Sequence, residues 1–270
     1  IRDLFTREID RLVIDSKEEY QSILEFIETF APNLRYSIEL YEGREPIFDA
    51  YGIDMETNRA LDKKVWLKSG GYIVIESTEA LTSIDVNTGS YVGKRNLEET
   101  IVKTNLEAVK EIAYQLRLRN IGGLIVIDFI DMDRQANRER VFMTLKEALE
   151  KDRARTTVLE MSELGLIEMT RKRTKEDINL FLTEPCLYCE GRGRLKSPTT
   201  ICYDIFRDLE REWVSGEEGK AYVLVHPEIE KVLKEEERYS VMELEKRINR
   251  RIAIIAKNDF HLEQYEISLQ

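Results

Sequence analysis

TSIDVN at residues 82–87 and LIVIDFIDMD at residues 124–133 decide how the chain is read. Each is an apolar run that reads as a buried strand except for one carboxylate, Asp85 in the first and Asp128 in the second. An ionised carboxylate among Ile, Val and Phe costs several kcal/mol unless something compensates it. A divalent cation is one such compensation, and it would explain two aspartates sharing a site. The same spacing also fits aspartates that cap turns just past strand ends, and spacing alone leaves both readings open.

Between these runs lies a helix-like segment, residues 96–119. Strand, crossover helix and strand imply a parallel pair whose carboxylates emerge near one edge. Asp85 and Asn87 are two apart in a strand and therefore share a face. Asp131 points elsewhere unless the second strand has ended before it.

The rest of the chain extends this mixed pattern. Ser16 with Glu19 makes a capping box for a helix to about Phe30, with Tyr20, Ile23, Leu24, Ile27 and Phe30 on one face. Residues 34–40 read as a strand and 47–59 as a helix. Residues 66–67 and 72–76 read as strands joined by a Ser69-Gly70-Gly71 turn. A helix over 134–152 and a strand over 156–161 follow, and residues 162–175 fit either state. The last part alternates helix (200–213), strand (221–225), helices (227–237 and 244–249) and strand (251–256). The fold class is therefore α+β to α/β in several domains, with residues 185–198, rich in Gly and Pro, as the best boundary.

Composition limits the rest. The chain has 270 residues, 42% of them hydrophobic, enough for more than one core. It has no apolar run long enough to span a membrane and no secretory leader, and it starts without Met in mid-pattern, as a fragment would. Three cysteines without a leader indicate a reducing, cytoplasmic setting. A net charge of −11 argues against a general nucleic-acid binder. Residues 151–175 are locally basic, however, with Lys151, Arg153, Arg155, Arg171, Lys172, Arg173 and Lys175, and could form a basic surface beside the two aspartates.

Asp85 and Asp128 suit Mg²⁺, which uses one or two carboxylates and keeps waters for the rest, with Asn87 orienting a ligand or water. Histidine chemistry is poorly supported: His226 and His261 are the only histidines and read as structural or exposed. No Ser-His-Asp arrangement or phosphate-binding P-loop is present. Cys186 and Cys189, in CLYCEGRG, form a knuckle suited to Zn²⁺. A structural zinc needs four ligands and this chain offers no second knuckle; a second copy can supply the other pair, and free thiols are the alternative. Cys202 falls in an amphipathic helix and reads as core. A redox role for the CxxC pair is weaker, because Gly191 and Gly193 follow where a helix would start.

STEALTSIDVNTG (77–89), LEETIVKTNLEAVKEIAYQLRLRNIGGLIVIDFIDM (97–132), DRARTTV (152–158) and CLYCEGRGR (186–194) together resemble the ribonuclease E/G family, in order and spacing. The resemblance is dense over residues 65–196 and looser over 221–267. It implies that Asp85 and Asp128 bind catalytic Mg²⁺, that Asn87 assists them, and that Cys186 and Cys189 share one Zn²⁺ between two protomers. It implies a partial ribonuclease-H-like subdomain (1–60), a deoxyribonuclease-I-like catalytic domain (61–182), a zinc-link (183–196) and a small α/β dimerisation domain (197–270). The activity implied is endonucleolytic cleavage of single-stranded RNA leaving 5′-phosphate and 3′-hydroxyl ends. The partners implied are RNA and a homodimer, with a tetramer as a further option. Lys94, Arg95, Arg153 and Arg155 are the residues expected to touch phosphate. The oligonucleotide-binding fold and 5′-end sensor that the family carries ahead of this region are not in the sequence. Two rivals follow: a zinc-linked scaffold that binds RNA without cutting it, and a Mg²⁺ phosphoesterase for small substrates.

Overall fold

A computed structural model describes residues 11–30, 38–89, 97–212 and 219–269. Lys94 and Arg95 lie outside the described residues. The chain divides into two compact units, residues 1–183 and 184–270.

The first unit opens with β1 (Leu12–Ile14), α1 (Lys17–Phe30) and β2 (Ile38–Leu40). Ser16 caps α1 by accepting from the Glu19 amide at 3.3 Å, the serine half of the expected capping box. The expected apolar face holds through Ile27, which is buried, but not at Phe30, which is 71% exposed and packs its ring on Phe26. The helix read over 47–59 is two helices, α2 (Ile47–Ala50) and α3 (Ile53–Leu61), because Gly52 takes a left-handed φ of 65° between them.

The main sheet uses β3 (Lys64–Trp66), β4 (Tyr72–Ser77), β5 (Leu81–Asn87), β6 (Gly123–Asp128), β7 (Thr156–Val158) and β8 (Leu166–Arg171). Their order is β3-β4-β5-β6-β8-β7. Only β5 and β6 run parallel, and α4 (Leu97–Leu118) is the crossover between them. One side of this sheet is apolar: Ile73 and Ile75, Ile84 and Val86, Ile125 and Ile127, Ile167 and Met169 are all buried. They pack on Val109, Ile112 and Leu116 of α4 and on Val141 and Leu145 of α5 (Gln135–Leu149). Burying each such side chain contributes about 1.5–3 kcal/mol. The segment 162–175, ambiguous by pattern, becomes β8 because its alternation fits an antiparallel partner in β6. Buried Arg119 closes the end of α4. It donates to Gln115 and to the Arg59 and Asp62 carbonyls, bonds that offset its burial and tie α3 to the core. A short helix, α6 (Ile178–Leu182), ends the unit.

The second unit holds α7 (Pro198–Glu212), β9 (Gly219–Val225), α8 (Pro227–Glu235), α9 (Arg238–Ile248), β10 (Arg250–Ala256) and β11 (Tyr265–Leu269). β9 is central, parallel to β10 and antiparallel to β11. Ala221, Val223 and Val225 alternate into a core shared with α7, α8 and α9, where Cys202 is fully buried. Burial pushes the Cys202 thiol up to about 12. His226 caps α8, its Nδ1 accepting from the Glu228 amide, so it is structural. Among the described residues no helix is long and apolar enough to cross a membrane.

Candidate metal centre and cysteine knuckle

The parallel register sets Asp85 of β5 directly opposite Asp128 of β6. Strand alternation decides where they point. Ile84 and Val86 go into the core, so Asp85 goes to the other face, and Ile127 does the same for Asp128. Both aspartates are exposed. The premise that they are buried among apolar residues is therefore corrected: the runs are one-faced strands, and the carboxylates sit on the open side. They are not turn caps either, since Asp85 lies within β5 and Asp128 closes β6.

Asn87 shares that face and donates its amide to Asp85 Oδ2 at 2.6 Å. A shallow cavity of about 290 Å³ is lined by Asp85, Val86, Asn87, Thr88, Asp128, Phe129, Ile130 and Asp131. Asp131 joins the site because β6 has ended at Asp128, which frees the following loop from strand alternation. The Asp128 carboxyl is held above its ordinary range, by partial burial first and then by the charges of Asp85 and Asp131. Exposure on the open face makes the desolvation modest, but both effects act in one direction.

Two further residues hold this arrangement: Asn105, missed in the sequence, and Gly71, read there only as part of a turn. Asn105 of α4 is completely buried and grips the loop after β6, donating to the Ile130 carbonyl at 2.8 Å and accepting from the Ile130 amide at 3.2 Å. A buried polar residue in the middle of a helix's apolar stripe was the available signal. Gly71 lets the β3–β4 turn press against the end of β5, where a Cβ would lie 2.7 Å from the Asn87 carbonyl.

Not all of the expected basic surface gathers here. Arg171 is buried and forms a two-bond ion pair with Asp152, Nε to Oδ2 at 2.7 Å and Nη2 to Oδ1 at 3.1 Å. It is a core residue, not part of a surface. Arg153 and Arg155 are exposed just before β7. Thr156 pairs through Arg171 with Gly123, five residues along β6 from Asp128, or roughly 16 Å. The structure thus brings Asp85, Asn87, Asp128 and Asp131 together and sets Arg153 and Arg155 at the far end of the sheet.

The knuckle belongs to the second unit. The Gly191 amide donates to the Cys186 carbonyl at 3.2 Å and the Gly193 amide to Cys189 Sγ at 3.3 Å. Gly191 and Gly193 supply φ values of 78° and 68°. The Cys186 thiol is lowered by hydrogen bonds from the Cys189 and Tyr188 amides and from the Cys189 side chain. Two thiols so placed fit a thiophilic cation. His261, distant in sequence, is not distant in the fold. Its Nδ1 accepts from the Glu263 amide, so Nε2 carries the proton and donates to the Tyr188 carbonyl at 2.7 Å. Neither nitrogen is left for a metal, and His261 acts as a clamp. Glu263 completes the anchorage by accepting from Arg192 and from the Lys196 amide.

Among the described residues no three or more His, Cys, Asp or Glu side chains form a ready-made metal cage. A facing carboxylate pair that has no ion-pair partner among the described residues, steadied by an amide, still fits a hard divalent ion that retains its waters. The site is thus an open cluster of oxygen donors on the uncovered face of the sheet. Residues 1–174 match the Ribonuclease E/G family, and residues 185–270 match the RNase E/G thioredoxin-like domain. The chain belongs to the ribonuclease E/G family. It is 44% identical to Ribonuclease G of Escherichia coli over 99% of the chain and 55% of that protein. It is 37% identical to Ribonuclease E of Haemophilus influenzae over 96% of the chain and 28% of that protein. A Ribonuclease E/G-like protein, chloroplastic, of Arabidopsis thaliana is 39% identical over 78% of the chain and 21% of that protein. The chain spans about half the length of the ribonuclease G relative it matches.

Proposed function

We propose that the chain carries the catalytic core of a Mg²⁺-dependent endoribonuclease acting on single-stranded RNA. The observation that carries this reading is the direct pairing of Asp85 with Asp128 on the open face, within a chain of this family. Asp85 and Asp128 would hold Mg²⁺, and Asn87 keeps the Asp85 carboxylate oriented through its 2.6 Å bond. The bound ion supplies Lewis-acid stabilisation of charge on a phosphoryl oxygen and a more acidic water. In the hydrolysis a water oxygen bonds to phosphorus, the bond to the 3′ oxygen breaks, and that oxygen takes a proton. The ends are a 5′-phosphate and a 3′-hydroxyl. An open face suits a single strand, whose backbone is accessible. In this reading the first unit combines ribonuclease-H-like and deoxyribonuclease-I-like parts.

The second unit contributes a zinc-bridged homodimer. Cys186 and Cys189 provide two of four tetrahedral ligands and the same pair in a second copy provides the others. Native mass spectrometry should give one zinc per two chains, and Cys186→Ser should shift the protein toward monomer. One zinc on each monomer would refute the bridge.

The deciding experiment for the first unit is cleavage of a labelled single-stranded oligonucleotide with Mg²⁺ or with EDTA, by the parent chain and by Asp85→Asn. Mg²⁺-dependent cutting lost in the variant supports the reading; cutting that persists in EDTA refutes it. Binding without cutting by the parent would favour the scaffold alternative.

A further inference from the structure

The open face of the six-stranded sheet carries a second side-chain group that the metal site does not use. Alternation places Lys64 and Trp66 of β3 and Tyr72 of β4 on the same side as Asp85, Asn87 and Asp128. The register runs Trp66, Tyr72, Asn87 across three strands and Lys64, Val74, Asp85, Asp128 across four. The Trp66 and Tyr72 rings meet edge to face with centroids 5.3 Å apart. Lys64 Nζ lies 3.5 Å from the Tyr72 centroid and 4.1 Å from that of Trp66. Trp66 is nevertheless 60% exposed, although its neighbour Val65 is buried in the core.

A single exposed aromatic residue needs no explanation. Here two rings and an ammonium are held together on the face that bears the aspartates, two strand spacings away. That is about 10 Å, the length of roughly three stacked nucleotides at about 3.4 Å each, and of fewer when the strand is extended. The charges are complementary as well. Asp85, Asp128 and Asp131 repel a polyanion, and Lys64 places a positive charge along the approach to them. Aromatic rings with an adjacent cation form the kind of platform on which unpaired bases stack without sequence preference.

We propose that Lys64, Trp66 and Tyr72 form a subsite for single-stranded RNA in which a base stacks on the Trp66 indole and a backbone phosphate meets Lys64. Tyr72 braces the indole from its edge. The subsite holds the strand across the sheet so that a phosphodiester further along lies over Asp85 and Asp128. This rests on the RNA-cleaving reading above and deepens it by adding positioning residues outside the metal site.

The test is fluorescence anisotropy of a labelled single-stranded oligonucleotide with the full chain in EDTA, where affinity is read apart from cleavage. Trp66→Ala should weaken binding roughly 5- to 100-fold, the range of one lost stacking contact, while Trp66→Phe keeps most of it. Lys64→Gln should lower the salt dependence by about one phosphate contact, roughly 0.7 in log–log slope. Moving a single abasic nucleotide along the oligonucleotide should show one position at which Trp66→Ala has no further effect. Circular dichroism guards against unfolding as the cause. Equal binding by parent and Trp66→Ala, no binding by the parent, or no position-dependent abasic effect would overturn the subsite. Loss of binding in Trp66→Ala, with a parent that binds RNA but never cuts it in Mg²⁺, would keep the subsite and discard the nuclease. Cutting by the parent with binding indifferent to Trp66 would do the reverse.

Discussion

The two ends of the six-stranded sheet treat carboxylates in opposite ways. At the end where β6 begins, Asp152 is buried against Arg171, whose guanidinium meets both of its oxygens and also reaches the Ile121 carbonyl. Burial alone would raise the Asp152 carboxyl, but the bonds from Arg171 and the Ala154 amide bring it below its usual range. At the end where β6 stops, Asp85, Asp128 and Asp131 line one cavity, and Asp128 is held above its usual range. The first end is compensated from within the chain. The second has no ion-pair partner among the described residues and leaves negative charge facing outward, where a cation from solution can compensate it. A carboxylate with its counter-charge built in serves stability; one without such a partner is available to a cation.

Four measurements would break or sharpen this contrast. The largest effect is expected at the outward end. Asp85→Asn keeps the shape and removes the charge, so Mg²⁺-dependent cleavage should fall by about 10³ or more, equivalent to roughly 4 kcal/mol. The melting temperature should barely move, and Mg²⁺ should no longer raise it. A variant that cuts like the parent would end the metal assignment.

Arg171→Met tests the inward end. It leaves Asp152 buried without a partner and should cost about 3–5 kcal/mol, read as a lower urea midpoint. Adding Asp152→Asn should recover part of that loss, because the orphaned charge causes most of it. A midpoint within error of the parent would mean that the pair carries no such role.

Acid titration of stability is expected to show a smaller effect. The Asp152 carboxyl lies lower in the folded protein than in the unfolded chain, so its contribution is present above the unfolded pKa of about 3.9 and is lost as pH falls through the folded value. Denaturant melts from pH 6 downward should therefore show an acid-side loss in the parent that is reduced in Asp152→Asn. Identical pH slopes would contradict the linkage.

The smallest effect is on the metal-free fold at the outward end. Asp128→Asn removes one of three mutually repelling charges, and calorimetry in EDTA should show a gain of no more than about 0.5 kcal/mol. A clear loss would reveal a structural bond that the exposed carboxylate is not known to make.

How much of this was legible depended on the range of the interactions involved. Local rules act within a few residues. They were sufficient for the Ser16 cap, the Gly70-Gly71 turn, the crossover helix and the β5–β6 pair with Asp85 and Asp128 side by side. They also identified the cysteine knuckle and the buried Cys202. Burial was beyond them. A run such as LIVID reads alike whether one face or both are covered, and only the packing of α4 and α5 on a single side left the aspartates exposed. Partners distant in sequence were beyond them too. Arg171 looked like a surface cation until Asp152 was found beside it, and His261 looked remote until β11 and its preceding turn brought it to Tyr188. The sequence alone determined which residues could do chemistry and which strands carry them, because those depend on residue type and period. The tertiary structure decided which charges are compensated, which face is open and which side chains meet across it, because those depend on what the rest of the chain folds against.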